Sequence, residues 1–116
     1  MRSEAPTEDV DKAAALFFQR LNAAEYDAIY DDSAKHFKEQ NTRPAVVDNL
    51  KQITAIGKPR QHARLSMTFE QEGDNRIALP VYGVFLDATS AEITLKFVDD
   101  RGEWKLLGFA VKPHTT

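Results

Sequence analysis

Three amphipathic helices packed on a curved four-stranded antiparallel sheet, an α+β domain, are what this sequence predicts. Three observations carry the prediction. Apolar residues recur at helical spacing through the first half of the chain, then switch near His62 to alternation, and the helical period does not return. Glycine, proline and acidic turn residues punctuate the boundaries between these runs. Finally, 116 residues without repeats, low-complexity tracts or linkers suit one domain spanning 1–116, with 1–6 and 113–116 expected as flexible tails.

The first helix is expected from Thr7, an N-cap followed by Glu8, Asp9 and Asp11 where the positive end of a helix dipole favours acids. Its buried stripe is Val10, Ala14, Phe17, Phe18 and Leu21. Asn22-Ala-Ala-Glu25 has the pattern of a fresh cap with an acid three residues on. It opens a second helix whose stripe is Tyr26, Ile29, Tyr30, Ser33 and Phe37. A third helix starts with Pro44 in its first turn, buries Val46, Val47, Leu50 and Ile53, and stops at Gly57 with Pro59 beyond.

HARLSMTFEQ is the first strand, with Ala63, Leu65, Met67 and Phe69 expected inward and Arg64, Ser66, Thr68 and Glu70 outward. EGDN turns the chain. RIALPVYGVFLD is a long second strand that contains Pro80 and Gly83, both marks of a bulge or bend. AEITLKFV buries Ile93, Leu95 and Phe97; DDRG then fits a type I turn with glycine at the left-handed position, leading into a last strand from Glu103 to Lys112. In that strand Trp104, Leu106 and Ala110 are expected to point one way and Leu107, Phe109 and Val111 the other. Strands two and four are therefore apolar on both sides, and the second side should meet a second copy of the chain or a ligand.

Composition narrows the functions. Fifteen basic against 18 acidic side chains give a net charge of −3, which provides no positive field for nucleic acid. Without cysteine there is no disulfide, thiol catalysis or cysteine-held metal. No apolar run approaches the ~18 residues of a membrane span. The opening MRSEAPTEDVDKAA has no hydrophobic segment of an export signal, and a start this polar equally suits a chain from which such a signal has been removed. Localisation is left open.

The three helices, the bent sheet and a terminal hairpin with GEWKLLGF resemble the nuclear-transport-factor-2-like superfamily, a cone-shaped α+β fold shared with ketosteroid isomerases and polyketide cyclases. AAEYDAIYDDSAKHF and GEWKLLGF carry the resemblance, which extends from about Asp9 to Lys112. With the GKPR junction, the chain is similar to small exported or lipid-anchored bacterial members, which implies a periplasmic or lipid-anchored location. Enzymes of this kind place an acid, a histidine or a tyrosine inside the cone, where burial tunes it for proton transfer. None of the inward residues expected on strands one and three is an acid or base. The function expected is therefore a non-catalytic binding or accessory domain for a small apolar ligand or a protein partner, with a cofactor-free cyclase- or isomerase-like enzyme as the alternative.

No catalytic residue, metal or cofactor is assigned. Candidate pocket or interface residues are Tyr26, Tyr30, His36, Arg64, Tyr82 and Trp104. His36 lies four residues after Asp32, a spacing for a carboxylate-oriented imidazole or a surface ion pair. His62 and His114 have no partner evident in the sequence. Asp27, Asp31 and Asp32 read as a solvated helix face rather than a divalent-ion site. Arg64, expected beside Ser66 and Thr68 and next to Tyr82, suits a bound carboxylate, a subunit contact or a solvated strand face.

Overall fold

The computed structural model describes residues 6–87 and 89–113. Helices α1 (Pro6–Asn22), α2 (Tyr26–Asp31), α3 (Lys35–Gln40) and α4 (Arg43–Ile56) precede strands β1 (Pro59–Glu72), β2 (Asn75–Leu86), β3 (Thr89–Asp100) and β4 (Glu103–Pro113). The sheet is open and antiparallel, in the order β1-β2-β3-β4. The expected class holds, and the expected count of three helices is corrected to four. Pro6 already lies in α1, so Thr7 is inside the helix rather than its cap, and Pro113 is the last residue of β4. The remaining tail residues, His114 among them, lie outside the described residues.

The stretch expected to open a second helix closes the first. Ala24 takes a left-handed conformation (φ 61°), its N–H bonding Leu21 O at 3.1 Å while Glu25 N–H bonds Arg20 O at 2.8 Å. That pair of bonds is a Schellman C-cap with alanine where glycine is usual. The helix that follows is then cut at Ser33 and Ala34. Buried Ser33 turns its hydroxyl back onto Ile29 O at 2.7 Å, and extended Ala34 gives its N–H to Leu106 O on β4 at 2.8 Å. A local side-chain bond and a tertiary backbone bond together end the helix. Helix α4 keeps both expected marks: Thr42 Oγ1 accepts from Ala45 N–H, and Gly57 ends it. Gly57 is required by proximity, since a Cβ there would sit 2.3 Å from Leu86 O.

All four helices lie on one face of the sheet. Val10, Ala14, Phe17, Phe18 and Leu21 of α1 and Val46, Leu50 and Ile53 of α4 form one buried cluster with Ala78, Tyr82, Val84, Leu86, Ala91, Ile93, Leu95 and Phe97. A 17-residue α1 is about 26 Å long, whereas the molecule extends 43 Å. The hairpin ends of the strands therefore run beyond the helices. There Phe69 of β1 and Trp104 of β4, on opposite edges of the sheet, bring their rings within 6.2 Å over β2 and β3, which marks a strongly coiled sheet.

Of three bulges, one of them at Arg60 near the start of β1, the two at mid-strand correct the expected faces. In β1, Arg64 pairs with Tyr82 and Ser66 with Val81, so Leu65 is left over. One extra residue reverses the alternation. Met67 and Phe69, opposite Pro80 and Ala78, stay on the helix side as expected, whereas Ala63 and Leu65 do not. His62 and Arg64, opposite Val84 and Tyr82, take the helix side instead, and Arg64 parts from Ser66 and Thr68. Gly83 marks this irregularity from the partner strand: a Cβ on it would only touch the Leu65 side chain, at 3.6 Å. In β4, Lys96 pairs with Gly108 and Phe97 with Leu106, leaving Leu107 over. Trp104 and Leu106 before the bulge and Phe109 and Val111 after it all face the helices, so β4 is not apolar on both sides. The β3–β4 turn is likewise corrected. Arg101 (φ 56°) and Gly102 (φ 89°) form a two-residue turn with both central residues left-handed, type I′ in character, and Asp99 accepts from Gly102 N–H at 2.8 Å.

Candidate functional site

The coiled sheet and short helices leave a cleft of about 320 Å³ where α1 and α2 meet the hairpin end of β3 and β4. Ala13, Leu16 and Phe17 form one wall, Ile29 the end, and Phe97, Trp104 and Leu106 the floor. Leu16 is 42% exposed, unusual for a leucine beside the core. Four charged residues ring the opening, and all are paired: Arg20 with Asp32 at 2.5 Å and Lys105 with Glu103 at 3.1 Å. The lining thus combines an apolar body with a charge-neutral rim, the usual make-up of a small-molecule pocket. Outside the cleft, the Arg76 guanidinium lies 5.6 Å from the Trp104 ring centroid and pairs with Asp99 at 3.3 Å, holding one face of the indole.

A second constellation lies where α1 crosses β1 and β2. The buried Tyr82 hydroxyl donates to Asp11 Oδ1 at 2.8 Å, and Arg64 Nε donates to Asp11 Oδ2 at 3.2 Å. His62 packs on Phe18 with ring centroids 4.5 Å apart and meets the Tyr82 ring edge-on at 5.6 Å. Loss of water over the Tyr82 hydroxyl, reinforced by its bond to Asp11, pushes its pKa far up, so the phenol remains a proton donor. Lost hydration likewise lowers the His62 pKa, against the opposing pull of the Asp11 carboxylate, so the imidazole is neutral at pH 7.

The remaining sequence candidates are structural. Tyr26 bonds the Thr54 hydroxyl at 2.9 Å, and Tyr30 donates to Asn41 O at 2.8 Å under the Arg43 guanidinium. Arg43 also bridges Asp27 and Asp31, while Asp32 goes to Arg20, so the three acids are shared between two arginines. Among the described residues no group of three or more His, Cys, Asp or Glu is placed to hold a metal. His36 does not meet Asp32: the break at Ser33 and Ala34 puts them on different sides of a helix end. Sequence reasoning passed over Asp11 as a helix-dipole acid and His62 as partnerless. The glycine opposite the bulge was the available signal for both.

No family model matches the chain, and no curated protein matches it. Among solved structures it is similar to a SEC-C motif containing protein from Rhodopseudomonas palustris, over 80% of this chain and 70% of that one, with 10% identity and a TM-score of 0.53. At that identity the likeness is one of fold alone. It overturns the resemblance to the nuclear-transport-factor-2-like superfamily, because the structural match found is to a different protein. The reason is visible in the two stretches that carried the resemblance. AAEYDAIYDDSAKHF is two short helices and a helix cap, and GEWKLLGF is a bulged strand. Among the described residues no helix is long and apolar enough to cross a membrane.

Proposed function

We propose that the protein is a binding module whose cleft between α1, α2 and the β3–β4 hairpin holds a small, largely apolar ligand. The observation that carries this reading is the cleft itself: an apolar floor and wall in which Leu16 and Trp104 keep exposed surface, closed by a rim whose charges cancel. Burying such surface stabilises a complex by roughly 25 cal/mol per Å² before the cost of immobilising the ligand. Because both rim acids are ion-paired, the cleft favours binding over proton-transfer chemistry.

Trp104 is the single tryptophan, so its emission reports on the cleft directly. Titration with the neutral probe N-phenyl-1-naphthylamine should quench Trp104 by energy transfer and saturate. Leu16→Asp, which places a charge in the wall while the core stays intact, should abolish saturation. Probe binding unchanged by Leu16→Asp would remove the cleft from the function.

A second copy of the chain is our proposed cover for the back of the sheet. Leu65 and Phe85, each 58% exposed, adjoin Gly83 on the face away from the helices. With β4 corrected, this patch alone supports the dimer. Sedimentation equilibrium should show association weakened by Phe85→Lys, and a monomer at all concentrations would refute it.

A further inference from the structure

We infer that Arg64 and His62 form a carboxylate-binding site on the helix side of the β1 edge, separate from the cleft. None of the residues involved lines the cleft. The bulge at Leu65 creates the site by turning two consecutive same-side residues of an edge strand toward α1, spaced by about 6.6 Å.

Two residues in series hold the guanidinium. Tyr82, 2% exposed, anchors Asp11 through its hydroxyl, and Asp11 in turn takes Nε of Arg64. Only Nε is used in this way. Among the described residues no hydrogen bond or ion pair holds the two Nη groups, which are left as an oriented fork of the kind that grips a carboxylate through two parallel bonds. Such an anchor reduces the rotamer entropy that an exposed arginine loses on binding.

His62 supplies the second contact. Packed against Phe18 and Tyr82, its ring is fixed in orientation, and no protein group takes its nitrogens among the described residues. A neutral imidazole offers one N–H, which a second oxygen of the ligand accepts. The Asp11 charge offsets that of Arg64, so geometry rather than net field provides the affinity, which should be in the millimolar range.

The test is an NMR titration of the full chain with sodium acetate, sodium benzoate and a short uncharged-side-chain peptide carrying either a free or an amidated C-terminus, against sodium chloride at equal ionic strength. Saturable shifts at Arg64 Nε–H and the His62 ring are expected with the carboxylates. Response to acetate and benzoate alone assigns the site to small carboxylates, whereas response to the free peptide but not its amide assigns it to chain termini. Arg64→Gln should abolish the His62 shift and Arg64→Lys should weaken binding about tenfold. Tyr82→Phe, which keeps the ring in place, should weaken it about threefold to tenfold by releasing Asp11. Shifts no larger than those in chloride, or a His62 response that survives Arg64→Gln, would overturn the site.

Discussion

Both edge strands of this sheet contain an extra residue at mid-strand, β1 having a second at Arg60, and the same mid-strand device has opposite results in them. In β4 the bulge at Leu107 brings Phe109 and Val111 onto the side already occupied by Trp104 and Leu106, so apolar groups that simple alternation sends outward join the core. In β1 the bulge at Leu65 brings His62 and Arg64 to the helix side and sends Leu65 out to 58% exposure. The first completes the packing; the second interrupts it with polar groups that must then be satisfied. Asp11 and Tyr82 satisfy Arg64, and the aromatic rings of Phe18 and Tyr82 seat His62. A bulge is neutral geometry, and its meaning comes from which residues lie on the far side of it.

Deleting the extra residues should break the comparison most sharply. The hairpin turns pin the ends of the strands near residues 73 and 102, and taking out the extra residue restores plain alternation, so the distal half of each strand keeps its face and loses the bend of the bulge. Removing Leu107 would keep Phe109 and Val111 on the helix side but straighten β4 and lift them partly off the core, at a cost of about 3 kcal/mol. Removing Leu65 would keep His62 and Arg64 on the helix side but straighten β1 and loosen the fit of Arg64 to Asp11, at a cost of about 1 to 2 kcal/mol. Urea unfolding of the two deletion variants tests the order. Equal losses would mean that the β1 network contributes as much to stability as the apolar end of β4.

Next in size is the cluster itself. Asp11→Asn should cost about 1 to 2 kcal/mol, because it replaces a charged acceptor of two hydrogen bonds with an amide that satisfies Tyr82 and Arg64 less well. The matching change in β4, Leu107→Ala, removes a partly buried side chain from the core margin at a cost of about 1 kcal/mol. Chemical denaturation with both singles and the double would show additivity, since no described contact joins the two sites.

The fold class was legible in the sequence because periodicity is a collective signal: five apolar residues at helical spacing in α1 outweigh any one exception. Single-residue events were not legible in that way. Ala24 took the left-handed cap position that glycine would have advertised, and a helix ended where the Ser33 hydroxyl bonds the Ile29 carbonyl and the Ala34 N–H bonds a strand far away in sequence. The bulges hid best, because a period of two carries no memory of phase: HARLSMTF alternates as well with a slip as without one. Gly83 hinted at the slip, but on the strand opposite to where it occurs. Asp11 could not be seen as a site residue until Arg64 was turned to meet it. The two-sided apolar character of β4, the ground for half of the expected dimer face, was likewise a slip in phase mistaken for a second surface.

A smaller effect separates the strands by pH. The folded His62 pKa is lowered, so the unfolded chain takes up a proton first as pH falls through the ordinary imidazole range near ~6.5. Stability should therefore fall with falling pH in that window, and His62→Gln should flatten the slope between about pH 7.5 and 5.5. Asp87 acts in a different window. The Lys58 N–H and the Arg60 side chain hold its carboxyl below the usual range, so its contribution is present above about pH 4 and is lost as pH falls further. A denaturation series in which the slope above pH 5.5 survives His62→Gln would place its source elsewhere than β1.

The smallest expected effect concerns how β4 keeps its phase. The turn between β3 and β4 has only two residues at its tip, Arg101 and Gly102, both left-handed. Arginine in that conformation carries a steric cost that asparagine largely avoids. Arg101 is exposed and forms no described contact, so Arg101→Asn should change little except this local strain, stabilising the fold by about 0.5 to 1 kcal/mol. Its value lies in the pairing with the Leu107 deletion. If the turn pins the register from Glu103 onward, tightening it should leave the deletion's cost undiminished, because the proximal half of β4 cannot shift to follow the straightened distal half. If Arg101→Asn instead rescued the deletion, the proximal half would be the part that moves, and the core position of Trp104 rather than Phe109 would be at stake.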